Sequence, residues 1–171
     1  MTEFSIPVLV GDVPAGGRSF RVVADAEARA ALAARIGVPA IASLAADLRV
    51  APFGRDGLSV SGEIAARLTQ TCVATLEDFE SSVVAPVDIR FSPDGVDPNA
   101  EIDLSELVDV EGEDPPDLLV DGRIDLGAII AEFLVLALDP YPRKPGAVFE
   151  AAEPEADASP FAALKALRGE D

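Results

Sequence analysis

The feature that most constrains this fold is an alternation of apolar and polar residues over the fifteen positions from Leu58 to Cys72. One face carries Leu58, Val60, Gly62, Ile64, Ala66, Leu68 and Cys72, with Gln70 as its single polar exception. The other face is mostly Ser, Glu, Arg and Thr. A period of two residues is that of a β-strand with one buried face. The pattern therefore predicts a long, half-buried antiparallel strand.

The segments on either side alternate in the same way, Leu44–Val50 before this strand and Val83–Phe91 after it. Turn-forming residues separate the three runs, at Arg55–Gly57 and again at Thr75–Asp78. Consecutive strands joined by short turns pair with their neighbours in antiparallel order. We therefore predict a three-stranded meander over residues 42–91.

Two shorter strands are predicted before the meander, at Phe4–Val10 and Arg18–Ala24. The glycine-rich segment between them, residues 11–19, has a slight likeness to a phosphate-binding loop. Such a loop opens a helix, whereas a strand pattern follows here, so a hairpin turn is the better interpretation. Pro7 and Pro86 cannot donate a main-chain hydrogen bond, which predicts edge positions for them, or a bulge at Pro86.

Three helices are predicted. The first covers residues 25–36, with Asp25 as its N-cap and a glycine after its last turn. The second, residues 126–138, follows Asp125 and is almost wholly apolar, so it must be buried against the sheet. The third covers residues 159–168. The predicted fold is α+β, a bent antiparallel sheet of about five strands with the apolar helix across one face; a nearly closed β-barrel is the alternative.

Negative charge is concentrated in two parts of the chain. The chain has 31 Asp and Glu against 13 Lys and Arg, a net charge of −18. Between Asp94 and Asp125 there are 12 acids and one base, and the rest of the chain before Glu150 is nearly neutral. We therefore predict one α+β domain over residues 1–149 with an acidic loop at 92–122. An acidic linker and the short third helix follow at 150–171.

Several kinds of chemistry are excluded by composition. The chain has no histidine, which removes Ser–His–Asp and Cys–His mechanisms. Its one cysteine, Cys72, cannot form an internal disulfide or fill a zinc site, which is typical of the reducing cytoplasm. Because Cys72 lies on the apolar face of the predicted strand, we expect its thiol to be buried. The series Asp97, Asn99, Glu101, Asp103 lacks the glycine and the final Glu of a calcium loop. We predict no catalytic residue, metal or cofactor, no enzymatic activity, and no export or membrane segment.

Three blocks carry a resemblance to a known family. They are the run from Val60 to Phe79, VSGEIAARLTQTCVATLEDF; Asp121–Leu126, DGRIDL, followed after the apolar helix by Leu138–Arg143, LDPYPR; and Ser159–Leu164, SPFAAL. In this order and spacing they resemble the YceD family, the large ribosomal RNA subunit accumulation proteins. The family often has Cys-x-x-Cys where this chain has Cys72 and Thr75, and further cysteines that this chain lacks. A metal role for those cysteines is therefore not carried over.

The resemblance implies a bacterial cytoplasmic protein that is needed for normal accumulation of large-subunit ribosomal RNA. It implies no enzymatic reaction. The resemblance also implies a protein that is often encoded beside a ribosomal protein. An acidic loop repels RNA phosphates and attracts a basic polypeptide. We therefore expect the partner to be a basic ribosomal protein or a ribosome-assembly intermediate, with no binding to DNA or membranes.

The predicted partner-binding residues are the acids of the loop and the apolar side chains of the third helix. They are Asp97, Glu101, Asp103, Glu106, Asp109, Glu111, Glu113, Asp114, Phe161, Leu164 and Leu167. The alternative is direct binding of ribosomal RNA by Arg49, Arg67 and Arg90, which would share the polar face of neighbouring strands. An enzyme acting on RNA has the least support.

Overall fold

A computed structural model describes residues 4–96 and 115–149 of the chain. The elements are, in chain order, β1 (Pro7–Leu9), a 3₁₀ turn (Val10–Asp12), β2 (Arg18–Val23), α1 (Ala26–Ile36), β3 (Ala40–Phe53), β4 (Gly57–Thr71), β5 (Asp78–Ser92), β6 (Asp117–Leu118), β7 (Arg123–Asp125) and α2 (Leu126–Leu136). The predicted third helix and most of the predicted acidic loop lie outside the described residues.

The predicted meander is confirmed. Strands β3, β4 and β5 pair in antiparallel order over almost their full lengths, with Val60 of β4 opposite Val50 on one side and Ile89 on the other. The complete sheet has five strands in the order β2-β3-β4-β5-β6. As described, it is an open sheet, which confirms the α+β fold and not the barrel alternative.

Strand β6 is a difference from the prediction. Asp117 and Leu118 lie within the region predicted to be loop, and they pair in parallel with Phe91 and Ser92 at the end of β5. The sheet is therefore mixed rather than wholly antiparallel. Two residues are too few to show a periodic pattern, so the sequence could not predict this strand. Its pairing with β5 depends on the tertiary structure.

The predicted hairpin between the first two strands is wrong. β1 pairs with β7, placing Val8 opposite Ile124, in a separate two-stranded sheet, while β2 pairs with β3. The 3₁₀ turn after β1 directs the chain away, and Val10 N donates a hydrogen bond to Gly122 O over 3.0 Å. Local alternation identifies a strand but not the strand that pairs with it, which is why the two sheets could not be separated in the sequence.

The two predicted helices within the described residues are confirmed. The Asp25 carboxylate accepts a hydrogen bond from Ala28 N at the start of α1, and Gly37 ends it in the left-handed conformation with φ 76°. Helix α2 packs against β4, β5 and β1, and it contributes the fully buried side chains of Leu126, Ile130 and Leu134. With them lie fully buried side chains of the sheet, Val50, Leu58, Val60 and Ile64. The core therefore lies between α2 and the inner face of the meander.

Asp125 joins three parts of the fold. Its carboxylate accepts hydrogen bonds from Ser5 Oγ (2.5 Å), from Ile6 N (2.8 Å) and from Gly127 N (2.8 Å). The first two come from the N-terminal segment and the third from the first turn of α2. The chain packs so closely here that a Cβ atom on Gly127 would lie 2.0 Å from the carbonyl oxygen of Phe4. One side chain thus caps the buried helix and holds the segment that leads into β1.

The same hydrogen bonds determine how Asp125 titrates. Partial burial would raise the pKa of Asp125, but hydrogen bonds from Ser5, Ile6, Gly127 and Ala128 outweigh it and hold the pKa below the ordinary value of 3.8. A carboxyl whose pKa is lower in the folded protein stabilises the fold above its ordinary pKa. That contribution is lost as the pH falls through the folded value.

We expect Asp125→Ala to lower the free energy of unfolding by about 2 kcal/mol near neutral pH, because it removes a helix cap and two further charge-assisted hydrogen bonds. Asp25→Ala is the matched control, since it removes a cap with one described side-chain hydrogen bond and should cost about 1 kcal/mol. Urea unfolding measures both, and the deficit of Asp125→Ala should shrink below the ordinary pKa. Equal losses in the two variants would contradict this assignment.

Gly62 allows β3 and β4 to approach each other closely. Its φ is 150°, a conformation that favours glycine, and a Cβ atom there would lie 2.1 Å from the carbonyl oxygen of Asp47. The obstacle is main chain, which cannot rotate away as a side chain can. Gly62 therefore occupies a position that no larger residue fits without separating the two strands.

We expect Gly62→Ala to destabilise the protein by at least about 2 kcal/mol, from backbone strain and the clash with β3. Ser61→Ala, at the adjacent exposed position, should change stability by less than about 0.5 kcal/mol. Thermal unfolding of the two variants tests the difference. A Gly62→Ala protein as stable as the Ser61→Ala control would show that the strands accommodate a side chain.

Candidate functional site

The eight acids predicted to bind a partner lie between residues 97 and 114, outside the described residues. This segment contains eight Asp and Glu and no Lys or Arg. The structure describes what flanks it. Val96 and Asp117 form a parallel bridge, with hydrogen bonds from Val96 N to Pro116 O (2.9 Å) and from Leu118 N to Val96 O (3.1 Å). The described residues before and after the acidic segment, residues 97–114, therefore meet at one place beside the end of β5.

Phe161, Leu164 and Leu167, the apolar residues predicted to anchor a partner, also lie outside the described residues. Their role stays a prediction. The described chain approaches that region through residues 139–149, which are attached near the turn between β4 and β5. There Val73 N donates to Pro142 O over 2.9 Å, and Lys144 Nζ lies 2.9 Å from Glu77 Oε2.

The exposed face of the sheet consists of rows of side chains that cross the strands. Four successive rows are Ser19–Arg49–Ser61–Asp88, Arg21–Asp47–Glu63–Pro86, Val23–Ala45–Ala65–Val84 and Ser43–Arg67–Ser82. These rows carry three arginines and three acids, so charges of opposite sign are neighbours. The third row is apolar, and Val23 and Val84 in it are exposed. The face is balanced in charge rather than cationic.

Arg49, Arg67 and Arg90 all lie on this face, but the structure does not bring them together. Arg67 is six residues along β4 from the partner of Arg49, a separation of roughly 20 Å, and the apolar row lies between them. Arg49 donates a hydrogen bond to the carbonyl oxygen of Gly16, and the guanidinium of Arg90 lies 5.7 Å from the centre of the Phe53 ring. RNA binding by these residues stays a prediction.

Cys72 lies at the end of β4 with a fully buried side chain, as predicted. The Thr75 side chain and then the main chain of Lys144 lower the pKa of Cys72 to about 7, against the opposing effect of burial. The turn that holds the thiol also contacts residues 142–144. Two of the blocks that resemble the YceD family, the β4–β5 turn and Leu138–Arg143, therefore meet at Cys72.

The sequence did not predict a groove between the edge of β5 and helix α2. It has a volume of about 550 Å³, and its lining is Asp88, Ile89, Arg90, Val96, Pro115, Asp117, Glu132, Phe133 and Leu136. Val96 and Pro115 immediately flank the acidic segment, so the segment begins and ends at the groove. The prediction that α2 is buried holds for most of its length, but Leu136 is 73% exposed at this groove. The sequence does contain a signal for this groove. Helix α2 is apolar on all sides, whereas burial against the sheet requires only one apolar face.

Neither α1 nor α2, the helices of the described residues, has both the length and the apolar character needed to cross a bilayer. Together the fold and the surfaces define a small, strongly acidic α+β protein with an open sheet and an acidic segment at one edge.

Comparison with known proteins identifies the family. The family model described as "Large ribosomal RNA subunit accumulation protein YceD" matches residues 60–168, more than half of the chain. The chain therefore belongs to the YceD family, which confirms the resemblance found in the sequence. No curated protein and no solved structure matches the chain. The family's name points to a role in the accumulation of large-subunit ribosomal RNA.

Proposed function

We propose that this protein supports large-subunit ribosomal RNA accumulation by binding a basic ribosomal protein through the acidic segment. The observation that carries the proposal is the concentration of eight acids and no base in residues 97–114. The described residues on the two sides of that segment meet at the Val96–Asp117 bridge, so the segment is attached to the sheet at the end of β5. A basic polypeptide that binds it would be held away from premature contact with RNA phosphates.

The charge of the rest of the described surface supports a protein partner over RNA. Phosphate binding needs cations that act together, whereas the arginines of the sheet face are separated and have acids as neighbours. The acidic segment repels a phosphate backbone at every approach within a Debye length, about 8 Å at physiological salt. The interaction of the acidic segment with a cationic polypeptide is attractive instead, and it should weaken with added salt to the same extent.

The proposal is tested by replacing the eight acids of residues 97–114 with their amides. Capture of purified basic large-subunit ribosomal proteins by this variant should weaken by about tenfold or more at low salt, because the charge attraction is removed. The control variant carries amides in place of Glu150, Glu153, Glu155 and Asp157, acids of the C-terminal region, and should retain capture. Capture that is insensitive to salt, or equal in all three proteins, would contradict the proposal.

A second variant separates the proposal from direct RNA binding. Arg49→Glu, Arg67→Glu and Arg90→Glu together should leave capture of the basic protein unchanged or slightly stronger, because the added charge is negative. Direct RNA binding is measured by the change in electrophoretic mobility of a large-subunit ribosomal RNA fragment when the protein is added. RNA binding by the natural chain that disappears in the triple variant would favour the RNA alternative.

A further inference from the structure

We infer that the groove between β5 and α2 binds an extended, basic segment of polypeptide, added as a strand to the edge of β5. The inference rests on the proposed function, because it names where and in what conformation such a partner docks. It also makes the acidic segment an attachment beside the docking site rather than the whole of it.

In the described part of the chain, the edge of β5 beside the groove has no neighbouring strand. β4 pairs with β5 along one side, whereas on the other side β6 pairs with Phe91 and Ser92 alone. Among the described residues, no strand pairs with this side of β5 before Phe91. The short pairing with β6 demonstrates that this edge accepts another strand, and an open edge is a template for one.

The lining of the groove identifies it as an edge site. Side chains of a strand alternate between the two faces, so Asp88 and Arg90 belong to the outer face and Ile89 to the inner face. A groove that contacts all three runs along the strand's edge. Pro86 has no N–H to donate and interrupts the edge, so the stretch beside the groove that can bind a new strand is residues 87–90.

The chemistry of the lining specifies the occupant. Inner-facing Ile89 together with Phe133 and Leu136 of α2 offers an apolar wall. Among the described residues of the lining there are also three acids, Asp88, Asp117 and Glu132, and one base, Arg90. A strand with apolar residues on one face and Lys or Arg on the other would satisfy both parts of this lining. The charge complementarity favours a basic partner over an acidic one.

The test uses the full chain and a fluorescent octapeptide in which lysine and valine alternate; a peptide with glutamate in place of lysine is the control probe. Fluorescence anisotropy should detect the lysine peptide and not the glutamate peptide. Leu136→Asp should weaken binding by about tenfold, as loss of a central apolar contact does. Val135→Asp is the matched control, an exposed neighbouring position of α2 outside the groove lining, and should leave the affinity within about twofold.

Strand addition has its own signature. Amide hydrogen exchange within residues 87–90 should slow when the lysine peptide binds, because main-chain groups on the edge become hydrogen-bonded. Peptide binding with no protection there, or equal weakening by Leu136→Asp and Val135→Asp, would overturn the inference.

The chain's own C-terminal segment is the competing occupant. Residues 159–169 contain Lys165 and Arg168 and no acid. The double variant Lys165→Gln with Arg168→Gln, in the full chain, should leave the affinity for the lysine peptide within about twofold. Tighter peptide binding and faster exchange at 87–90 in this variant would assign the groove to the C-terminal segment and overturn the inference.

These results are separable from those for the proposed function. Loss of peptide binding in the groove with retained, salt-sensitive capture of basic ribosomal protein overturns the groove alone. If the peptide binds in the groove but no basic ribosomal protein is captured, the docking surface is retained and the proposed function is contradicted.

Discussion

A sheet with one buried face depends on whatever covers that face, and here the cover is α2. Leu126, Ile130 and Leu134 are fully buried against β4 and β5, and burial of each such side chain contributes about 1.5–3 kcal/mol. Without α2 the inner faces of β4 and β5 would meet water, whereas β3 also packs against α1. The hydrogen bonds of Asp125 fix the start of α2 and bind the N-terminal segment to it, so the position of the helix, and with it the core, depends on one carboxylate.

The same helix determines the surface at its other end. Because α2 crosses the sheet near the open edge of β5, its last turn leaves Leu136 exposed beside Ile89 and forms the wall of the groove. The Val96–Asp117 bridge brings the described residues that flank the most acidic part of the sequence to the end of β5, beside the groove. In our proposal, charge attracts a basic polypeptide and the groove gives it a defined conformation. Long-range electrostatics alone would supply attraction without specificity.

The family match and the structure bear on different parts of the same chain. Residues 60–168 include most of β4, all of β5 and α2, and the acidic segment, whereas β1, β2, α1 and β3 lie before the match. Within the matched region, the β4–β5 turn and residues 142–144 meet around Cys72, which explains how blocks far apart in sequence form one structural unit. Thr75, in that turn, lowers the pKa of Cys72.

The sequence by itself determined the meander, both described helices and their caps, and the burial of Cys72, because these depend on periodicity and on residues within a few positions of each other. It also determined where the negative charge lies. Tertiary structure alone decided that β1 pairs with β7 instead of β2, that Asp117 and Leu118 extend the sheet, and that Arg67 lies far from Arg49 and Arg90. It likewise created the groove, whose lining comes from β5, the flanks of the acidic segment and α2. Strand partners and grooves form between residues distant in the chain, and which of them meet depends on how the whole core packs.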